Sequence, residues 1–427
     1  MTKWEGKKVT VFGLGRSGAA VARKLAGLKS DVTITESKSE DKLDNDLVSE
    51  MKKIGVRLET GGHSNRSIEG ADLIVLSPGV HTDLVTLEEA RKLRIPIISE
   101  IELACRFISK PIIAITGTNG KTTTTTLIGE FLKAYGKKVA VAGNIGNPLI
   151  SVDDKDLDFL VVEVSSYQLE TIVTFRPWIS LILNLAEDHI ERHKSMEEYS
   201  AAKARIFLNQ RKTDYLIYNA DDKLVSSIAA SSEARLVPFS KNKPFLDPRE
   251  MLIPGEHNLE NALAAAQAAL ICGVTIDTIK KVLSTFPGVE HRIEFVTEKR
   301  GVKFYNDSKG TNPDSTIVAL KALSNGQKNI ILIAGGKDKG GDLADMARLI
   351  STTVKKVILI GEAANRFGKV LKTDLIFSGD LKEAVNTAYS LAGQGDIVLL
   401  SPACASFDMF SNFEERGKIF KELVDRL

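Results

Sequence analysis

"PIIAITGTNGKTTT", residues 111–124, sets an apolar run against a Gly-x-x-Gly-Lys-Thr turn and a string of threonines. A short apolar run that ends in such a turn reads as a buried parallel strand entering a helix. Gly117 and Gly120 let backbone N–H groups wrap phosphates, Lys121 sets its ammonium against β- and γ-phosphate oxygens, and the Thr122 hydroxyl suits Mg²⁺. Ile115 stands where the usual phosphate loop has its first glycine. It belongs to the strand, so the loop is shorter and keeps its chemistry.

The same pattern extends along the chain. "VTVFG", "LIVLS", "FLVVEVSS", "LILN", "YLIYN", "IILIAGG", "VILIG" and "IVLLSPACAS" alternate with helical stretches and mostly end in small or polar residues. These are the marks of an α/β protein with parallel sheets, whose ligands sit outside the carboxyl ends of strands. A length of 427 residues fits three domains, which we place at 1–99, 100–290 and 291–427. No internal repeat or low-complexity tract interrupts them.

The 57 basic and 55 acidic residues nearly cancel, so the global charge gives no ground for a nucleic-acid or membrane partner. Cys105, Cys272 and Cys404 are far apart and lack metal or disulfide spacing. No signal core precedes the first strand, and no apolar run approaches the ~18 residues of a membrane span. A soluble, unprocessed cytoplasmic protein is expected.

Gly13, Gly15 and Gly18 form G-x-G-x-x-G directly after a strand, with Glu36 following at the dinucleotide spacing. A nicotinamide dinucleotide and another nucleoside diphosphate both satisfy this turn. Beside a separate triphosphate loop, the second suits a ligase with a nucleotide-tagged substrate. Glu163 ends a buried strand, where a carboxylate must be paired or metal-bound. "LILNLAEDHIERH" sets His189 and His193 four apart, either a zinc pair or a Mg²⁺ and phosphate neighbour. Lys203 looks by pattern like a surface lysine, and Asn258 and Asn261 like helix caps or nucleotide contacts.

Taken together, "GTNGKTT", "EVSSYQLE", "NLAEDHIERH", "HNLENALAA", "HRIE", "NDSKGTNPDS" and "SPACASFDMFSNFEERG" resemble the Mur ligases in order and spacing over essentially the whole chain. The resemblance implies a Rossmann-like N-terminal domain, a central P-loop ATPase-like domain and a Rossmann-like C-terminal domain. "GLGRSG", "SPGV" and "NDSKGTN" imply the branch that takes UDP-N-acetylmuramoyl-L-alanine and D-glutamate, acting as a monomer with ATP and two Mg²⁺ ions through an acyl phosphate. By the same resemblance Gly117, Thr118, Asn119, Gly120, Lys121, Thr122 and Thr123 cradle ATP, with Asn261, Arg292 and Asp307. Thr122 and Glu163 hold one metal ion, and His189 with a carbamylated Lys203 holds the other. Ser17, Ser77, Gly79, Asn144 and Gln168 meet the UDP-sugar. Lys309, Thr311, Lys339, Ser406, Phe407 and Phe413 receive D-glutamate. The first domain argues against folylpolyglutamate synthase, and an oxidoreductase leaves Lys121 unexplained.

Overall fold

The structure is a computed structural model and describes residues 3–186, 190–324, 326–338, 340 and 342–427. All nine apolar runs form strands. The first sheet holds β1 (Lys8–Phe12), β2 (Asp31–Glu36), β3 (Arg57–Thr60), β4 (Leu73–Leu76) and β5 (Ile97–Ser99), in the order β3-β2-β1-β4-β5 with every pair parallel. Strand order reverses between β1 and β4, which opens a crevice at their carboxyl ends.

The second sheet holds β6 (Ile112–Thr116), β7 (Val139–Gly143), β8 (Phe159–Glu163), β9 (Ile179–Ile182), β10 (Tyr215–Asn219) and β11 (Arg235–Phe239), all parallel, in the order β11-β10-β9-β6-β8-β7. The third holds β12 (Glu294–Lys299), β13 (Val302–Asn306), β14 (Ile330–Gly335), β15 (Val354–Ile360), β16 (Leu375–Phe377) and β17 (Ile397–Leu400), in the order β12-β13-β17-β14-β15-β16. Only β12 runs antiparallel to its neighbour in this sheet.

The chain falls into two compact units. One comprises Met1–Phe245 with Glu260–Ile279 and contains the first two sheets; the other comprises Leu246–Leu259 with Lys280–Leu427 and contains the third. Within the first unit, the short helix Glu100–Ala104 after β5 fastens the first sheet to the second. The Glu102 carboxylate accepts the N–H groups of Val173, Thr174 and Phe175, and Glu100 accepts that of Ile150 at 2.7 Å.

Packing overrides local preference in the helix that carries the phosphate loop. Lys121–Ala134 opens on five β-branched threonines, which are mediocre helix formers. Leu127, Ile128, Phe131 and Leu132 on the same helix are fully buried, at roughly 1.5–3 kcal/mol each, which outweighs that propensity cost. Gly129 lets the helix lie close on β7: a Cβ there would come within 2.7 Å of the Val141 side chain. Among the described residues, no helix is long and apolar enough to cross a membrane.

Candidate active site

The loop at 117–120 joins β6 to helix Lys121–Ala134, whose N-cap is Gly120 at φ +82°. That left-handed conformation is what glycine supplies, and a Cβ at Gly120 would sit 2.1 Å from Asn261 Oδ1. Asn261 lies beneath the loop and accepts the Thr124 hydroxyl at 3.3 Å. The Asn119 N–H donates to Asn184 Oδ1, and the Asn184 amide donates back to the Asn119 carbonyl. Thr118 Oγ1 meets the Tyr199 hydroxyl and the Ala186 N–H, each at 3.1 Å. Lys121 folds over the loop and donates to the carbonyls of Gly117 and Thr118 at 2.9 and 2.7 Å. Thr123 is buried on the first turn of the helix.

Glu163 ends β8 with 2% exposure. One carboxylate oxygen accepts the Thr122 hydroxyl at 2.8 Å, and the other accepts the Asn144 amide at 2.9 Å. The carboxylate and the hydroxyl are oxygen donors of the kind a hard divalent cation takes. Lys203, on helix Met196–Ala204, is also only 2% exposed, so the surface reading of its pattern fails. One turn earlier stands Tyr199, whose ring lies 4.6 Å from the ammonium, and this face of the helix packs under the loop. The Lys203 ammonium donates to Gly117 O at 2.9 Å, the same carbonyl that Lys121 uses.

His189 lies outside the described residues. The turn that follows it, Ile190–His193, is pinned by a forked ion pair from Arg192 to Glu170 at 3.0 and 2.8 Å. His193 is buried, with Nε2 3.0 Å from Ser166 Oγ.

A cleft of about 470 Å³ opens at the crevice between β1 and β4 and extends to the segment after β7. Ser17, Ser77, Gly79 and Asn144 line it, together with Arg16, Glu36, Lys38 and His63. Burial works against the charge on Glu36, but N–H groups of Leu14 and Lys38 and the Ser37 hydroxyl outweigh it and hold the carboxyl below its usual range. Glu36 therefore stays ionised, with its oxygens aimed at the turn. Burial pushes the His63 imidazole down, against the pull of Glu36. Gln168 does not line this cleft: it is buried, and its side-chain oxygen accepts from Ser165 in a capping box at the helix Ser166–Leu169.

In the second unit, Asp307 follows β13, accepts the Ser401 hydroxyl at 2.7 Å and the Ile293 N–H, and is pushed up to about 7 by burial. Arg292 is exposed and favours the charged form of Asp307. Lys309 lies over the Phe413 ring at 5.8 Å, and the Thr311 N–H donates to the Lys309 carbonyl. Ser406 is buried, Phe407 is 71% exposed, and Lys339 lies outside the described residues.

Sequence reasoning assigned nothing to Arg416, which is 1% exposed on helix Phe413–Asp425. Its guanidinium donates to Ser308 Oγ, Ser308 O, Cys404 O and Ala405 O. It ties the loop of Asp307 and Lys309 to the loop of Ser406. Neighbouring Gly417 is the available signal: a Cβ there would lie 2.2 Å from His291 Nδ1, and a mid-helix glycine often marks such a close approach.

A doubly wound α/β arrangement with a strand–loop–lysine–helix phosphate site defines a nucleotide-using enzyme of the α/β class. The Mur ligase MurD-like N-terminal domain matches residues 7–99, the Mur ligase middle domain residues 115–269, and the Mur ligase glutamate ligase domain residues 291–404. The chain belongs to the Mur ligase family. It is 47% identical to the UDP-N-acetylmuramoylalanine--D-glutamate ligase of Thermoanaerobacter pseudethanolicus, over 99% of both chains. It is 45% identical to the protein of that name from Caldanaerobacter subterraneus subsp. tengcongensis, over 98% of both. In fold it is similar to the MurF ligase from Thermotoga maritima solved with ADP, with a TM-score of 0.62 at 17% identity over 100% of both chains.

Proposed function

We infer that this chain is an ATP-dependent amide-forming ligase that joins the alanyl carboxylate of UDP-N-acetylmuramoyl-L-alanine to the amine of D-glutamate, in peptidoglycan precursor synthesis in the cytoplasm. The observation that carries this reading is the 47% identity, end to end, with a relative of that name. The three family matches support the division of labour placed at 1–99, 100–290 and 291–427.

Oxide is too poor a leaving group for direct amide formation. The alanyl carboxylate therefore attacks the γ-phosphorus and ADP departs, leaving an acyl phosphate. The D-glutamate amine, having lost its proton, adds to the acyl carbon, and the tetrahedral intermediate expels phosphate. Two anions must meet in the first step, so charge neutralisation and alignment dominate the catalysis. Lys121 exchanges its two loop carbonyls for phosphate oxygens, while the N–H groups of 117–120 and the Thr123 side of the helix N-terminus hold the rest. Asn261, Arg292 and Asp307 complete the ATP site.

Thr122 and Glu163 would hold one Mg²⁺, and His189 with carbamylated Lys203 the second; the ions would screen the approaching anions. Lys121 and Lys203 both donate to the carbonyl of Gly117. Carbamylation would convert the Lys203 ammonium into an anion, since the amine adds to CO₂ and releases a proton. Ser17, Ser77, Gly79 and Asn144 take the UDP-sugar. Lys309, Thr311, Lys339, Ser406, Phe407 and Phe413 receive D-glutamate, whose two carboxylates call for cations and hydroxyls.

Phosphate release is measured with ATP, Mg²⁺ and UDP-N-acetylmuramoyl-L-alanine, adding D-glutamate, L-alanine, L-lysine or diaminopimelate separately and weighing the product. Turnover with D-glutamate alone is expected. Preference for another amino acid would reassign the last domain to a sister ligase.

A further inference from the structure

The cleft at the carboxyl ends of β1 and β4 carries a net positive charge, since two cations, Arg16 and Lys38, face one carboxylate, Glu36. Glu36 keeps its charge and directs it at the N–H groups of Leu14 and Lys38 and the Ser37 hydroxyl. Two cations on its walls, Arg16 and Lys38, have no ion-pair partner among the described residues. Arg16 is exposed, and its guanidinium reaches across the cleft to the carbonyl of Gly146 at 3.3 Å, a long bond to a neutral acceptor.

The cleft also contains room the protein itself does not use. Gly15 has an ordinary φ of −86°, and neither a Cβ there nor one at Gly79 would meet any protein atom within 4 Å. Gly18 differs: its Cβ would fall 1.9 Å from the Gly13 carbonyl, so the fold alone requires it. Two glycines that the chain does not need, on the wall of a cleft with surplus positive charge, indicate close approach by an anion. Arg16 stands on the first turn of helix Arg16–Gly27, beside N–H groups that have no acceptor within the helix.

We propose that Arg16 is the side chain that recognises the diphosphate of the nucleotide-tagged substrate, exchanging the Gly146 carbonyl for phosphate oxygens. The proposal rests on the reading of this cleft as the UDP-sugar site. Arg16 ties the β1 turn to the segment that carries Asn144; with a diphosphate bound it supplies a forked, charge-assisted contact that a nucleoside without phosphate cannot use.

The test is calorimetric titration of the wild-type protein and of Arg16→Ala and Arg16→Lys with UDP and, separately, with uridine. The wild type should prefer UDP. Arg16→Ala should shrink that preference by about tenfold or more while leaving uridine affinity alone, and Arg16→Lys should keep part of it. An unchanged preference in Arg16→Ala overturns the proposal and leaves the cleft reading standing. Equal loss of UDP and uridine affinity overturns it too, since Arg16 would then only strap the cleft. A wild-type protein with no preference for UDP removes the cleft assignment and the proposal together.

Discussion

Replacing Arg416 by Met removes the four hydrogen bonds that its guanidinium gives to the Asp307–Lys309 and Cys404–Ser406 loops. Three carbonyls and a hydroxyl then lose a donor, at roughly 1–2 kcal/mol each, or about 4–8 kcal/mol together. Set against this is the relief of burying a charge. Desolvation pulls the guanidinium down to about 10 from 12.5, which corresponds to roughly 3 kcal/mol. The net expectation is a loss of about 1–5 kcal/mol, confined to the second unit. Trp4 and Trp178 both lie in the first unit, so tryptophan fluorescence is blind to that loss while far-UV circular dichroism is not. Urea titration of Arg416→Met should therefore move the dichroism transition to lower denaturant and leave the fluorescence transition in place. Under the proposed function, KM for D-glutamate should rise at least about tenfold, with KM for ATP and for the UDP-sugar little changed. Arg416→Lys keeps the charge but loses the fork, so it should be milder in stability yet still raise KM for D-glutamate. Unmoved transitions, together with an unchanged KM for D-glutamate, would refute the assignment of Arg416 as the tie between these loops.

Glu100 is buried, one of its carboxylate oxygens has no hydrogen-bond partner among the described residues, and burial pushes it up to about 7. Its folded value lies above the unfolded one, so the stability it contributes is complete below about 4.5 and lost as pH rises through about 7. Glu100→Gln keeps the acceptor for the Ile150 N–H and should raise the urea midpoint at pH 8 while changing little at pH 5. Gly15→Ala should leave stability within about 0.5 kcal/mol of wild type, since its Cβ enters open space, and weaken UDP binding. Gly18→Ala should cost more than about 2 kcal/mol, because its Cβ would strike the Gly13 carbonyl; the reverse ranking in thermal melts would contradict the packing. Lys121→Ala should fold normally and form neither acyl phosphate nor amide, and acyl-phosphate formation by that variant would remove Lys121 from the chemical step.

Strands buried on both faces were legible because their apolar runs are nearly continuous, as in β6 and β14, where every residue is buried. The edge strands β3, β11 and β16 were not singled out. Most of their residues face solvent at least in part, and Pro238 in β11 is tolerated because that strand has a neighbour on one side only. The antiparallel course of β12 follows from a tight reversal at Arg300 and Gly301, both at positive φ, which an apolar pattern does not report. In the site, residues 117–122 announce themselves because phosphate wrapping demands glycine and lysine. Lys203 does not: its burial depends on which helix face packs under a loop distant in sequence, and only the family resemblance singled it out. Arg416 is hidden among Glu414, Glu415 and Lys418, since charge on a helix says nothing of which side chain turns inward.

Each sheet places its chemistry where strand order reverses, and the three crevices differ in kind. The first, between β1 and β4, offers cations without an ion-pair partner among the described residues and open backbone, which suits a diphosphate. The second, at the ends of β6, β8 and β9, joins a loop held by two lysines to the Glu163 carboxylate and the Thr122 hydroxyl, which suits a polyanion with a hard cation. In the third sheet the loops of Asp307 and Ser401 leave the neighbouring strands β13 and β17 and are held by Arg416. Strand order explains where each ligand can bind, but it cannot explain which ligand binds, because the same reversal occurs three times on the same kind of sheet. Selectivity must therefore reside in the few side chains that differ between crevices. Under the proposed function, choice of amino acid belongs to Lys309, Thr311 and their neighbours on the third sheet, and choice between a nucleotide and a nucleoside belongs to Arg16 on the first.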